Sequence, residues 1–192
     1  MAQSTNRPAT GTALRGAAAG AVAFVAGYVI TYAWRAPSVS DSLEGLNFLA
    51  ELFGIEAIPT WKGVAWLFFG AHGVVTRFPR PTGGTELVNL VEQSGDGTVA
   101  ALYLLVPVLL LLAGAATARL NDARAPGDGA LAGATAAGGY VVLAAALTFL
   151  SAHAIGDTGA SIAPDPITGV LLAGVVYPLV FGAIGGAIAS YA

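Results

Sequence analysis

Four stretches of the chain carry no formal charge: Gly16–Trp34, Val99–Ala118, Gly129–Ala152 and Ile167–Ala192. Each is close to the about 20 residues with which an α-helix crosses a hydrocarbon core of roughly 30 Å. In lipid the backbone must satisfy its own hydrogen bonds, which leaves an apolar segment of this length only the helix. The stretches predict an all-α integral membrane protein with four transmembrane helices, over 13–34, 98–118, 129–152 and 167–191.

Composition agrees independently. Only 10% of residues are charged and 56% are hydrophobic, with a mean hydropathy of +0.73, whereas soluble domains carry about 25% charged residues. A single Lys accompanies the arginines, and the net charge is −3; together these point to a GC-rich, salt-loving prokaryote. The chain has no Cys, which excludes disulfides, thiolate metal sites and cysteine nucleophiles. Arg7 and Arg15 precede the first apolar run in the manner of a secretory signal. That run exceeds the 7–15 residues of a signal core, and Ala33-Trp34-Arg35-Ala36-Pro37 carries Trp and Arg where a cleavage site wants small residues. It therefore reads as a retained helix behind a disordered cytoplasmic tail at 1–12.

The polar part of the chain lies at 35–97. Asp41 with Glu44 three residues on reads as a helix start. Leu43, Leu46, Leu49, Ala50 and Phe53 then form an apolar face opposite Glu44 and Glu51, and Gly54 stops an amphipathic helix at 41–53. The Trp-rich segment Trp61–Val75 would span about 22 Å as a helix. That is short for a crossing, and the aromatic load with Lys62 and His72 suits an interfacial or re-entrant helix at 61–76; a fifth span is the alternative. Val74–Phe78 pairs with Leu87–Val91 in a short hairpin, and the whole segment forms a small external lid. Loops at 119–128 (cytoplasmic) and 153–166 (external) join the remaining helices.

Lys and Arg divide evenly between the two sides, so loop length decides orientation. Long segments translocate largely regardless of charge. With both termini cytoplasmic, Arg7, Arg15, Arg119 and Arg124 lie inside, and the Lys/Arg-free loop 153–166 lies outside. Residues 13–19 resemble 130–136, in a register that continues through Val25/Val142 and Thr31/Thr148, which suggests two duplicated helix pairs. Pro107 and Pro178 sit mid-span as helix kinks. Gly16/Gly20, Gly129/Gly133 and Gly182/Gly186 recur at a spacing of four that permits close helix packing, within one chain or in a homo-oligomer.

Recognisable chemistry is scarce. No Asp, Glu, Lys, Arg or His lies in the middle of any span, where proton relays and ion pathways keep such residues. Arg15 reads as an interfacial anchor. The chain has no HExxH, GxSxG, GxxxxGK[ST] or strand-linked GxGxxG motif, so no catalytic residue and no cofactor is expected. The scattered arginines offer no nucleic-acid surface. On the outer face His72, His153, Asp157 and Asp165 form a weak ligand set for a divalent metal. Trp61, Trp66, Phe68 and Phe69 form an exposed aromatic patch that covers the bundle mouth, meets lipid headgroups, or docks a partner or an apolar ligand.

The block Pro59-Thr60-Trp61-Lys62-Gly63-Val64-Ala65-Trp66-Leu67-Phe68-Phe69-Gly70-Ala71-His72, together with Gly129–Thr135 and Leu171–Gly182, resembles an uncharacterised family of haloarchaeal multi-pass membrane proteins. The resemblance implies a halophilic cell membrane and supplies no activity. The leading functional expectation is a non-catalytic structural or accessory membrane component, in contact with the lipid bilayer and a membrane or envelope protein. A channel or facilitator for a small neutral or apolar solute is the alternative, and a metal-dependent enzyme at the outer face is the weakest reading.

Overall fold

The computed structural model describes residues 7–80, 83–95 and 97–191. Its elements run α1 (Arg7–Leu52), α2 (Thr60–Gly70), β1 (Thr76–Pro79), β2 (Thr85–Val88), α3 (Leu90–Gln93), α4 (Gly97–Ala100), α5 (Leu102–Leu120), α6 (Pro126–Ala134), α7 (Ala137–Leu150), β3 (His153–Ala154), β4 (Ser161–Pro164), α8 (Pro166–Thr168), a π-helical stretch (Gly169–Val176) and α9 (Tyr177–Ala189). Among the described residues four helical segments are long and apolar enough to cross a membrane: Thr10–Leu52, Gly97–Leu120, Pro126–Leu150 and Pro166–Ala189.

α1 is longer than the sequence suggests. It continues through Pro37 for 46 residues, about 70 Å at the α-helical rise. Asp41 is therefore a mid-helix residue, and the expected separate helix at 41–53 is the far end of α1. Proline removes one backbone donor; around it the hydroxyls of Ser38 and Ser42 donate to the carbonyls of Arg35 (3.2 Å) and Ser38 (2.8 Å). Arg7–Thr12, expected to be a disordered tail, are helical; the rest of that expected tail lies outside the described residues.

The strands extend beyond the single hairpin expected in the lid of an otherwise all-α protein. β1 and β2 form the expected hairpin, with Thr76 opposite Val88 and Arg77 opposite Leu87. β1 pairs in addition with β4, which pairs with β3, giving a four-stranded sheet in the order β2-β1-β4-β3. The 153–166 loop is thus a hairpin seated on the first one. Both β-hairpins sit at the same end of the helices, the sheet end.

α1 packs on α5 and α7, and α9 packs on α5 and α6, while α5 and α6 touch at the end remote from the sheet. Small residues govern that narrow end. The backbone of Gly133 closes against Gly182, and Gly129 against Gly186, while Gly16 and Gly20 of α1 meet Thr135 and Ala136. These contacts lie within the chain, and a side chain at any of these glycines would overlap its neighbour. Arg15 fixes the same end. Its guanidinium donates to the Leu120 carbonyl (2.9 Å) and to Asn121 Oδ1 (3.1 Å), placing a cation at the C-terminus of α5. α5 runs through Pro107 unbroken, whereas Pro178 opens α9 after the wide turns of the π-helical stretch.

Candidate functional site

Towards the sheet end the bundle admits α2. This 11-residue helix is too short for a fifth span, and it is buried within the bundle. Trp66 is 2% exposed and Phe68 and Phe69 0%, while Trp61 alone of the expected aromatic patch reaches the surface, at 37%. Reading these residues as exposed fails because their apolar area packs into the bundle instead. Phe68 lies edge-on to Phe24 of α1 (5.3 Å, 85°), and Phe24 edge-on to Tyr140 of α7 (4.9 Å, 82°), the geometry that aromatic quadrupoles favour. Two donors anchor the helix to the C-terminal carbonyls of α7. Trp66 Nε1 donates to Ser151 O (3.0 Å) and Lys62 Nζ to Ala152 O (2.6 Å), groups that a helix end leaves unpaired.

Beyond α2 the chain turns at Gly73, whose φ of +75° favours glycine. Just before that turn, His72 is wholly buried. Its Nδ1 lies 2.9 Å from the Phe68 carbonyl and its Nε2 2.7 Å from the Tyr140 hydroxyl, and its ring is 5.2 Å from that of Tyr177. A carbonyl only accepts, so Nδ1 carries the proton and Tyr140 donates to Nε2. Burial pushes the imidazole down to about 4, outweighing the Phe68 carbonyl that favours the charged form. Tyr140 and Tyr177 lie near the middles of their helical segments. α2 therefore carries to mid-height a histidine, which the apolar stretches themselves lack. Tyr140, Tyr177 and Phe24 went unrecognised in the sequence, because an aromatic in an apolar run gives no sign of facing a polar partner.

Asn89 locks the return path. Its Nδ2 donates to Gly70 O (3.2 Å) and to the Tyr103 hydroxyl (3.1 Å), and its Oδ1 accepts from the Val91 N–H (3.0 Å).

The four weak metal candidates are placed separately. His72 has both nitrogens engaged as above. His153 Nε2 lies 3.0 Å from the Glu56 carbonyl. Asp165 caps α8, accepting from the Thr168 N–H (2.9 Å) and hydroxyl (2.9 Å), and the Thr168 backbone bond holds its carboxyl below the usual range. Asp157 is exposed between β3 and β4. Among the described residues no three His, Asp or Glu side chains are grouped to hold a metal.

Two surfaces remain at the sheet end. The far end of α1 packs Val39 and Leu43 over Gly63 of α2, and the Asn47 side chain ties it to the backbone of Ile58 (2.7 and 3.1 Å). Its other side leaves Phe48, Leu49 and Leu52 exposed, and Phe53, just beyond the helix, is 78% exposed. Between this arm and α2 runs a groove of about 390 Å³.

A model of one protein family matches residues 1–192, the whole chain. The chain belongs to DUF7978, a family of unknown function. Nothing matches among curated proteins or among solved structures. DUF7978 membership thus assigns no activity to the buried His72 centre, to the arm or to the groove.

Proposed function

We propose that this is a multi-pass protein of a haloarchaeal cell membrane, with both termini cytoplasmic and the sheet end outside. Its role is that of a non-catalytic structural or accessory component, and its arm docks another membrane or envelope protein. One observation carries this reading: the middle of the bundle is filled by Phe68, Phe69 and His72, while the arm of α1 projects with Phe48, Leu49 and Leu52 uncovered. A filled axis suits a scaffold better than a path, and an exposed apolar helix face suits a partner.

A facilitator for a small neutral solute is the second reading. It draws on the His72–Tyr140 pair at mid-height, since polar groups buried at that depth usually serve function. Reconstitution in vesicles separates the two. The accessory reading expects solute permeability equal to that of empty vesicles, and a photo-crosslinker at position 49 should give one discrete adduct in native membranes. Permeability that Phe68→Ala raises further would favour the facilitator, and absence of an adduct at 49 would sink the docking role. Single cysteines at positions 83 and 122 should label from outside and inside respectively.

A further inference from the structure

The arm of α1 carries a pattern that its own packing does not use. Away from the side that meets Gly63, the residues Asp41, Glu44, Gly45, Phe48 and Glu51 line one shallow hollow. Leu49 and Leu52 extend its apolar part, and all seven residues are exposed. They fall three or four apart, the spacing that keeps side chains on one helix face. Around that face Glu51 and Glu44 form one edge, Phe48 follows, and Leu52 and Leu49 lie beyond it.

Gly45 sits within this face. In the bundle, glycines let backbones touch, as at Gly114, Gly139 and Gly185, whereas Gly45 has nothing within 4 Å. A glycine inside a helix weakens it, and no contact within the chain uses the space it leaves. The arm is nevertheless held in place by the Asn47 side chain on the backbone of Ile58, so the face is presented ready-formed.

Charge selects the kind of occupant. Between Arg35 and Lys62 the chain holds Asp41, Glu44, Glu51 and Glu56 but neither Lys nor Arg. Among the described residues Asp41, Glu44 and Glu51 form no ion pair. A second copy would bring arm to arm with acids on both and no cation, and an anionic lipid surface meets the same repulsion. An apolar seam edged by one sign of charge is the surface on which helix pairs choose a partner of opposite flank.

We propose that this face takes one amphipathic α-helix of another membrane or envelope protein. Its apolar seam lies on Phe48, Leu49 and Leu52, its backbone comes close over Gly45, and its Lys or Arg side chains lie beside Glu44 and Glu51. This rests on the docking role above and names the occupant.

Two synthetic probe helices test it, sharing a leucine seam and differing only in Lys or Glu along one flank. With the detergent-solubilised full chain, fluorescence anisotropy corrected for empty micelles should show the Lys-flanked probe bound about tenfold more tightly, as exposed charge pairs turn from repulsion to attraction. Glu51→Lys should remove most of that preference, and Glu44→Lys with Glu51→Lys should reverse it. Asp157→Lys, in the exposed turn between β3 and β4, should leave it unchanged. Gly45→Leu should weaken both probes with the melting profile retained, since the new side chain meets no neighbour within the chain. Equal binding of the two probes, an equal shift by Asp157→Lys, or binding indifferent to Gly45→Leu overturns the proposal. In native membranes, sequencing of the segment crosslinked to position 49 should give a helix-patterned stretch with Lys or Arg along one flank. An adduct on a protein segment without that flank overturns the proposal and leaves the docking role standing, and absence of any adduct removes both.

Discussion

The Nε2 of His72 accepts a 2.7 Å hydrogen bond from the hydroxyl of Tyr140, joining the turn that follows α2 to the first turn of α7. Neither group has another route to water, as His72 is 0% and Tyr140 2% exposed. Tyr140→Phe would leave Nε2 buried and unsatisfied, a loss of about 1–3 kcal/mol. His72→Phe removes the imidazole and strands the hydroxyl instead. Because each single change breaks the same bond, the double variant should lose less than the sum of the two. Denaturant unfolding of the four proteins in detergent measures this, and strict additivity would mean that the pair is uncoupled.

The same burial gives stability a pH dependence. The folded-state pKa of His72 is depressed to about 4, below the roughly 6.5 of an unfolded chain. Between these values the unfolded chain binds more protons, so stability rises with pH there and is lost as pH falls towards 4. Asp165 is also depressed, below the ordinary carboxyl value of 3.8, so its contribution falls away at more acid pH still. The melting temperature of the wild type should therefore decline from pH 7 to pH 4, and His72→Phe should flatten that decline. An equally steep decline in the variant would assign the effect to other groups.

The indole of Trp66 is held by Ser151 O at 3.0 Å. Trp66→Phe keeps most of the apolar contact and deletes the donor, which should destabilise by about 1 kcal/mol. The loss is local, at the seat of α2 on α7. Amide exchange in residues 64–70 should quicken while exchange in α5 and α9 stays unchanged. A uniform increase across all helices would show that the bond supports the whole bundle rather than the seating of α2.

The parts of this fold legible in the sequence are those set by local chemistry. Long uncharged runs became the apolar helices because nothing in them competes with helix formation, and the β1–β2 hairpin was visible through its breaker-rich turn. What escaped depended on contacts distant in sequence. β3 and β4 are stabilised by the pairing of Thr76 with Pro164 and Arg77 with Ala163, which no window around 153–166 contains. Pro37 and Asp41 look like a break and a fresh start, yet the helix runs on, since one lost backbone bond costs less than uncoupling an arm that packs on Gly63. Trp61–Val75 shows the same limit from the other side. Its aromatic load fits an interface or a core equally well, and only the room left beside α1 and α7 decides for the core. His72 was singled out by its rarity, but its partner Tyr140 could be found only in three dimensions.

Two adjacent glycines in α7 offer a sharp test of the packing. Gly138 points to open space on α1, where an added methyl would meet only the Ala17 Cβ at 3.7 Å, an ordinary contact. Gly139 points at the backbone of α1 itself, so that a methyl would overlap the Ala17 carbonyl and approach the Ala21 nitrogen at 3.0 Å. Neither residue needs a positive φ. Gly138→Ala should thus be neutral or stabilising by up to about 1 kcal/mol, through reduced freedom of the unfolded chain. Gly139→Ala gains the same entropy but must push α1 and α7 apart, and backbone atoms cannot rotate away as a side chain does; overpacking of this kind costs roughly 1–3 kcal/mol. The melting temperature in detergent should move in opposite directions, or fall for Gly139→Ala alone. A comparable fall for both would mean that α1 and α7 are set closer, or turned otherwise, than this register allows, and the His72–Tyr140 alignment that depends on it would have to be redrawn.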